Sequence, residues 1–233
     1  MTTVPIVALD VSNASDAVRL VDSLGDRCRF YKIGSELFTA AGPEVVSRVL
    51  ATGSDVFLDL KYHDIPNTVR GALRSAASLG VRLATVHAIG GTAMIEAAVD
   101  GGGDSVGILA VTVLTSFDDT SLAEATGRPD VVASEEVMRL AEIAATAGAH
   151  GVVCSGAECA ALHHRFDSRL ALLVPGIRLA GGAAHDQKRV VTPAAAAAAG
   201  ARYIVLGRAV TAAADPGAAM EAVLAELESV AAA

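Results

Sequence analysis

Aromatic residues are scarce in this chain of 233 residues: they make up 3% of it, and tryptophan is absent. Apolar residues nevertheless account for 52% of the sequence. The core must therefore be packed mainly by Val, Leu, Ile and Ala. This composition excludes a disordered chain, which would be too poor in apolar residues to fold.

Positive charge is also in short supply. The chain has 18 Lys and Arg against 26 Asp and Glu, which gives a formal net charge of −8, and it contains no basic run. A nucleic-acid surface needs a basic patch or stripe, so this class of partner is excluded. An anionic substrate would have to be held by a few local cations.

Long hydrophobic runs and a cysteine framework are absent as well. No segment reaches the ~18 uninterrupted apolar residues of a membrane helix, and the N-terminal MTTVPIVALD lacks the basic region of a secretion signal. Cys28, Cys154 and Cys159 lie in or just after apolar segments, and the CSGAEC spacing is a poor match for a metal or redox motif. These features predict buried thiols in a reduced, cytoplasmic protein that is neither secreted nor inserted in a membrane.

Short apolar segments alternate with segments of helical spacing along the whole chain. The predicted strands cover residues 5–9, 29–33, 55–60, 83–87, 107–113, 151–154, 170–174 and 203–206. The predicted helices cover residues 14–24, 44–51, 68–79, 91–99, 135–147, 158–165, 193–199 and 216–230. Several strands are almost continuously apolar, as parallel strands covered on both faces are. Alternation without an obvious linker favours an α/β fold with a single (β/α)₈ TIM barrel over residues 1–233, and a doubly wound sheet is the alternative.

Charged residues follow the third predicted strand directly. Residues 59–69 read DLKYHDIPNTV and come after the apolar VFL. Asp59 and Lys61 are two residues apart, so a strand that continues through them presents both side chains on one face. Asp64 then begins a loop that Pro66 stiffens. Because a buried charge is costly unless it is paired, this opposite pair indicates chemistry rather than stabilisation.

Polar side chains also lie near the ends of other predicted strands, where (β/α)₈ barrels have their active sites. Asp10 follows the first strand, Lys32 lies in the second and His87 ends the fourth. Each alone has an ordinary explanation, since Asp10 can cap a turn and Lys32 can reach the surface. For His87 we expect a packed residue at a strand end rather than a base. The coincidence of charges at one end of the barrel predicts a site.

The last two strands predict a phosphate site. Arg178 follows the seventh strand, and Gly207 and Arg208 follow the eighth, ahead of a short helical segment. In such barrels these loops often bind phosphate through backbone N–H groups, and Arg208 would add a charge-assisted contact. The segment 179–187, LAGGAAHDQ, is rich in glycine and small residues and ends at Gln187. Its position between the two phosphate arms favours a lid over an ordinary loop.

A family resemblance is carried by eight segments, which follow one another along the chain as ALD, YKIG, DLKYHDIPNTV, TVHAIGG, TVLTS, VPGIR, DQKRVVTP and VLGRAVT. Together they resemble the orotidine 5'-phosphate decarboxylase family of the bacterial type. The resemblance covers essentially the whole chain, and the segment around Lys61 is its most specific part. It implies cofactor-independent decarboxylation of orotidine 5'-phosphate to UMP, the last step of de novo pyrimidine biosynthesis. It also implies a homodimeric enzyme without a metal.

The resemblance further implies roles for individual residues. Lys61 would protonate C6 of the pyrimidine, and Asp59 would face the substrate carboxylate. Lys32 and Asp64 would complete an alternating charge network, with Asp64 and Thr68 reaching into the active site of the other subunit. The remaining substrate-binding positions would be Asp10 and Lys32 for the ribose hydroxyls, Thr115 for the base, and Gln187, Gly207 and Arg208 for the phosphate, with Arg178 leading into that loop.

Two alternatives stay open. A Mg²⁺-dependent sugar-phosphate decarboxylase or aldolase of the same barrel superfamily shares the short Asp-x-Lys-x-x-Asp pattern. The extension of this pattern through HDIPNT favours the nucleotide enzyme. The other alternative is a catalytically silent barrel that only binds a nucleotide.

Overall fold

The computed structural model describes residues 2–179 and 191–231, and its strands form a closed barrel. The strands are β1 (Val4–Ala8), β2 (Phe30–Gly34), β3 (Asp55–Tyr62), β4 (Leu83–His87), β5 (Gly107–Val111), β6 (Gly151–Val153), β7 (Ala171–Val174) and β8 (Tyr203–Leu206). Neighbours in the chain pair in parallel, and a parallel ladder between β1 and β8 closes the ring. The predicted (β/α)₈ barrel is therefore confirmed, and the doubly wound sheet, which would leave β1 and β8 apart, is excluded.

Helices surround this barrel. Those of the described residues are α1 (Ala14–Leu24), α2 (Ser35–Ala41), α3 (Glu44–Leu50), α4 (Pro66–Ser78), α5 (Gly91–Gly102), α6 (Asp119–Thr126), α7 (Ala133–Thr146), α8 (Gly156–Phe166), α9 (Pro193–Ala198), α10 (Arg208–Thr211) and α11 (Pro216–Ala231). Short 3-10 turns cover Gly25–Arg27, Ala88–Gly90 and Asp167–Arg169. All the predicted helices are present with ends shifted by less than a turn, α10 is the short helical segment expected after the eighth strand, and α2 and α6 are additional. In the described ranges, no helix combines the length and the apolar character needed to cross a membrane.

Local sequence signals set the ends of these helices. Asn13 caps α1, because its side chain accepts a hydrogen bond of 2.9 Å from the N–H of Asp16. Thr192 caps α9 in the same way, and Pro193 occupies the first helical position. Gly25 follows α1 with a φ of 50°, a left-handed value that costs a residue with a Cβ about 1–2 kcal/mol. These caps and turns define where each β/α unit reverses direction.

Two apolar layers lie on the two sides of the strands. The larger fills the space between strands and helices. The smaller fills the barrel interior, and its buried members are Ile6, Ala8, Phe30, Phe57, Leu83, Leu109, Leu173, Tyr203 and Val205. Strand side chains alternate between faces, so the residues two positions beyond Ala8, Phe30 and Phe57 continue the interior face. Those residues are Asp10, Lys32 and Asp59, so the interior changes from apolar to charged toward the C-terminal ends of the strands.

The three cysteines lie in the core, as predicted. Cys28, Cys154 and Cys159 are all buried and free. Burial raises the pKa of the Cys28 thiol above its ordinary value. These residues act as small apolar side chains in the packing.

A buried carboxylate fixes the connection between α6 and α7. Glu136, in the first turn of α7, is 4% exposed and pairs with Arg139 at 2.5 Å and with Arg128 at 3.0 Å. Hydrogen bonds from Arg139 and then Arg128 lower the pKa of Glu136 from 4.5 to about 2. Arg128 belongs to the segment that follows α6, so its ion pair with Glu136 joins this segment to α7, whereas Arg139 lies on α7 itself.

We expect Glu136→Gln to lower the free energy of unfolding by about 1–3 kcal/mol at pH 7, because the amide keeps the volume but loses both ion pairs. The folded-state pKa lies below the ordinary 4.5, so this stabilisation is present above pH 4.5 and is lost as the pH falls toward 2. Urea unfolding at pH 7 and pH 3 measures it, and the difference between the two proteins should shrink at pH 3.

Glu142→Gln is the matched control for this prediction. Glu142 lies on the same helix, but it is half-exposed and pairs with the exposed Arg165. We expect this change to cost less than about 1 kcal/mol. Equal losses in the two variants, or a difference that persists at pH 3, would contradict the role given to Glu136.

Candidate active site

A cavity of about 450 Å³ opens at the C-terminal ends of the strands. The predicted site residues that line it are Asp10, Lys32, Asp59, Lys61, Thr115, Arg178, Gly207 and Arg208. Four of these are cations and two are carboxylates, so the cavity has an excess of positive charge inside a chain of net charge −8. A cavity of this size and charge suits a small anionic ligand. Within residues 2–179 and 191–231, no three His, Cys, Asp or Glu side chains are grouped to hold a metal ion.

Four charged side chains form an alternating row along this cavity. Nζ of Lys32 lies 2.9 Å from Oδ1 of Asp10 and 3.8 Å from Oδ2 of Asp59. Nζ of Lys61 lies 2.9 Å from each oxygen of Asp59. Each ammonium in this row, which runs Asp10, Lys32, Asp59, Lys61, lies next to a carboxylate. This pairing offsets the cost of removing the charges from water. The side chains of Lys32 and Asp59 expose 12% and 14% of their surface, whereas Lys61 exposes 35% and faces the open cavity.

Strand β3 reaches this arrangement through a bulge. The ladder with β4 shifts register there, and the pairs on either side are Leu58 with Ala84 and Tyr62 with Val86. Residues 59–61 therefore lie opposite a single residue of β4, and Lys61 has a left-handed φ of 51°. The prediction that Asp59 and Lys61 lie together is confirmed, but the regular alternation from which it was argued is wrong at these three residues.

Thr85 is the residue of β4 that lies opposite the bulge, and the sequence analysis did not identify it. It is fully buried, and its Oγ1 accepts a hydrogen bond of 2.9 Å from the N–H of Lys61. The same oxygen donates a hydrogen bond of 2.9 Å to Oδ1 of Asp59. A hydroxyl two residues beyond Leu83, on the interior face of an apolar strand, was the available signal, because buried polar groups need partners.

Gly34, at the end of β2, is a second position that the sequence analysis missed. A Cβ there would lie 2.9 Å from Nζ of Lys32 and 3.7 Å from Oδ1 of Asp10. The φ of Gly34 is −92°, which any residue can adopt, so the requirement is for space and not for backbone freedom. The glycine of YKIG thus lets Lys32 approach Asp10, which lies in the loop just past the end of β1.

Two of the predicted site residues in the described ranges do not line this cavity. Asp64 and Thr68 are exposed beyond the end of β3, and the Asp64 carboxylate accepts a hydrogen bond of 2.6 Å from the N–H of Ile65. Gln187 lies outside the described residues, as does the predicted lid 179–187 apart from its first residue.

His87 packs at the end of β4 and is not among the residues that line the cavity. Its ring centroid lies 5.8 Å from that of His63, in a tilted arrangement. Burial, followed by the nearby His63 and Lys61, lowers the pKa of His87 below its ordinary value. This environment agrees with the prediction of a packed strand-end residue.

A closed (β/α)₈ barrel with a charged cavity at the C-terminal ends of its strands defines the class of TIM-barrel enzymes. Comparison with known families makes the assignment more specific. The chain belongs to the Orotidine 5'-phosphate decarboxylase / HUMPS family, whose sequence pattern it matches over residues 3–223.

Individual relatives cover nearly the whole chain. A protein from Halorhodospira halophila named orotidine 5'-phosphate decarboxylase is 51% identical over 227 residues, which cover 95% of this chain and 94% of that protein. A protein of the same name from Laribacter hongkongensis is 51% identical over 226 residues, covering 95% and 92%. The crystal structure of orotidine 5'-phosphate decarboxylase from Lactobacillus acidophilus aligns with a TM-score of 0.85 at 39% identity, covering 97% of this chain and 99% of that one. The family resemblance seen in the sequence is confirmed.

We expect Gly34→Ala to displace the ammonium of Lys32, because the new Cβ would lie 2.9 Å from Nζ. A crystal structure should show the Lys32–Asp10 distance lengthened from 2.9 Å to beyond hydrogen-bonding range. The free energy of unfolding should change little, since the displaced atom ends a flexible side chain.

Gly71→Ala is the control for this prediction. Gly71 lies within α4, and a Cβ there would meet no atom within 4 Å. This change should leave the charged row intact and stabilise the protein by about 0.5–1 kcal/mol, because alanine favours a helix. An unmoved Lys32 in Gly34→Ala would contradict the requirement for space at residue 34.

Proposed function

We propose that this protein decarboxylates orotidine 5'-phosphate to UMP, the last step of de novo pyrimidine biosynthesis, without a cofactor. The observation that carries the proposal is the row Asp10, Lys32, Asp59, Lys61 in the barrel cavity. The name of the family covers HUMPS proteins as well as orotidine 5'-phosphate decarboxylases, so membership alone does not decide which reaction this chain catalyses. The two relatives at 51% identity, both named for this decarboxylation, favour it over a Mg²⁺-dependent sugar-phosphate enzyme.

The reaction requires a positive charge close to C6 of the pyrimidine. When the bond from C6 to the carboxylate breaks, CO₂ leaves and the electron pair stays on C6 in the ring plane, where the π-system cannot delocalise it. Many enzymes solve such problems with a cofactor that accepts electrons. The alternative is a fixed cation in a site that excludes water. In this proposal Nζ of Lys61 is that cation, and it then transfers a proton to C6.

Asp59 sets the direction of this cation. Both of its oxygens lie 2.9 Å from Nζ of Lys61, which restricts the ammonium to one position. In the proposed complex, Asp59 also faces the carboxylate of the substrate. Lys32, on the far side of Asp59, extends the row toward Asp10.

The rest of the cavity would hold the nucleotide. The proposed contacts are Asp10 and Lys32 with the ribose hydroxyls, Thr115 with the base, and Gln187, Gly207 and Arg208 with the phosphate, with Arg178 leading into the phosphate loop. Support comes from the local excess of positive charge in a chain of net charge −8. Binding energy at the phosphate, far from C6, can then be used to orient the base.

Purified protein should convert orotidine 5'-phosphate to UMP at the same rate with and without EDTA, since Lys61 supplies the charge that a metal would otherwise supply. The loss of substrate absorbance measures this rate.

Lys61→Ala should lower kcat by about 100- to 1000-fold or more, because the transition state loses its main electrostatic partner. UMP should still bind to this variant. A rate abolished by EDTA would favour the Mg²⁺-dependent alternative, no turnover would favour the silent barrel, and near-normal turnover by Lys61→Ala would refute the mechanism.

We further propose that a second copy of the chain completes the site, with Asp64 and Thr68 entering the cavity of the neighbour. Both side chains are exposed in the single chain, and Ile65 between them exposes 68% of its surface. Ile89, in the turn after β4, exposes 55%. Exposed apolar side chains next to exposed polar ones support contact with a partner surface. A C₂ homodimer would use this segment twice.

Mixing two inactive variants tests the shared site. Lys61→Ala and Asp64→Asn should each have little activity alone. In a hybrid dimer, one site then carries both changes and the other carries neither. Random mixing should therefore restore about a quarter of the wild-type activity, because half of the dimers are hybrids with one intact site each. Recovery of no activity would show that Asp64 serves its own chain, and a fully active Asp64→Asn would remove it from the site.

A cytoplasmic location belongs to the same proposal. It is supported by the three free, buried thiols, which fit a reducing compartment.

A further inference from the structure

We infer that Thr85 is a positioning residue that holds Asp59 and Lys61 in the geometry needed for decarboxylation. The inference rests on the proposed function, and it assigns a role to a residue that is not among those lining the cavity. Thr85 acts through the two residues of the bulge in β3 that it contacts.

The position of Thr85 in the barrel follows from the register of β3 and β4. Residues 59–61 of β3 lie opposite Thr85 alone, because the regular pairs resume at Tyr62 and Val86. At this point the N–H of Lys61 donates a hydrogen bond to the side chain of Thr85. The hydroxyl therefore joins the two strands where their regular pairing is interrupted.

The chemistry of the groups fixes the direction of both hydrogen bonds. An amide N–H can only donate, so Oγ1 of Thr85 accepts from Lys61 and its own proton points to Oδ1 of Asp59. Oδ1 of Asp59 also accepts from Nζ of Lys61 at 2.9 Å. Three hydrogen bonds thus run from the N–H of Lys61 through Thr85 and Asp59 to Nζ of Lys61, and the side chain of Lys61 closes the ring. Such a ring fixes the carboxylate and the ammonium together.

Burial makes this hydroxyl hard to replace. Thr85 is fully buried, so water cannot take over its hydrogen bonds without a rearrangement. Lys61 adopts a φ of 51°, which is strained for a residue with a Cβ and persists only where the surroundings hold it. Loss of the acceptor for the N–H of Lys61 would favour relaxation of this backbone, and the ammonium would move with it.

Thr85→Val removes the hydroxyl and keeps the shape of the side chain. We expect kcat for orotidine 5'-phosphate to fall about 10- to 100-fold, because small displacements of a catalytic group have effects of this size. KM and the affinity for UMP should change little, since the proposed phosphate and base contacts lie on other strands. Thr85→Ser should restore kcat because it keeps the hydroxyl. Thr85→Ala removes the same hydroxyl and provides the same test if Thr85→Val does not fold.

Thr112→Val is the matched control. Thr112 is also buried, follows the adjacent strand β5 and donates its hydroxyl to the carbonyl of Val153 at 2.8 Å, and among the described residues it has no charged partner. This variant should lose a similar amount of stability and retain kcat. Equal kcat values for Thr85→Val and Thr112→Val, or a Thr85→Ser variant as slow as Thr85→Val, would overturn the inference.

A second measurement separates this inference from the proposed function. If wild-type protein turns over orotidine 5'-phosphate and Thr85→Val does so equally well, the inference fails and the function stands. If the wild-type protein is inactive, the function fails, and a crystal structure of Thr85→Val still tests the positioning role. That structure should show Lys61 out of its left-handed conformation or Nζ moved from Asp59, and an unchanged pair would overturn the inference.

Discussion

The charged end of the barrel depends on the interactions of one group, the carboxylate of Asp59. It accepts hydrogen bonds from Lys61 and Thr85 and lies within ion-pair distance of Lys32. Two ammonium groups can share this partly buried region only because a carboxylate lies between them, since isolated buried charges cost several kcal/mol each. The positions of the neighbouring strands β2, β3 and β4 at the cavity are therefore linked through one side chain.

Much of the fold was predictable because it depends on local patterns. Near-continuous apolar strands, caps such as Asn13 and turn glycines such as Gly25 each act over a few residues, and they set eight β/α units in sequence. Closure itself is a long-range property: the ladder from β1 to β8 joins the two ends of the chain. The alternation of strands and helices along the sequence is compatible with a closed barrel but does not require one. The additional helices α2 and α6 are short, with seven and eight residues, so their periodic signal is weak.

The charged residues of the site could be predicted from the sequence, but the bulge and the neighbouring residues that set their positions could not. Asp10, Lys32 and Asp59 each follow an interior apolar residue at a spacing of two, which a regular strand converts into a common face. Lys61 departs from this rule, because the bulge shifts the register and gives it a φ of 51°. A bulge depends on the partner strand as much as on its own sequence, so neither it nor the role of Thr85 could be inferred from residues 59–69 alone. Gly34 matters only because the end of Lys32 passes close to it.

The geometry of Asp59 also bears on how the proposed decarboxylation is driven. A bare carboxylate ~4 Å from the substrate carboxylate would repel it by about 4 kcal/mol at an effective dielectric constant of 20. Enzymatic accelerations correspond to about 8–23 kcal/mol, so this repulsion alone is too small. The charge of Asp59 is moreover compensated by Lys61, by the hydroxyl of Thr85 and by Lys32, which reduces the repulsion further. In the proposed mechanism the larger contribution therefore falls to Lys61, whose ammonium is bonded to both oxygens of Asp59 before the substrate arrives, so that little reorganisation is needed as charge develops on C6.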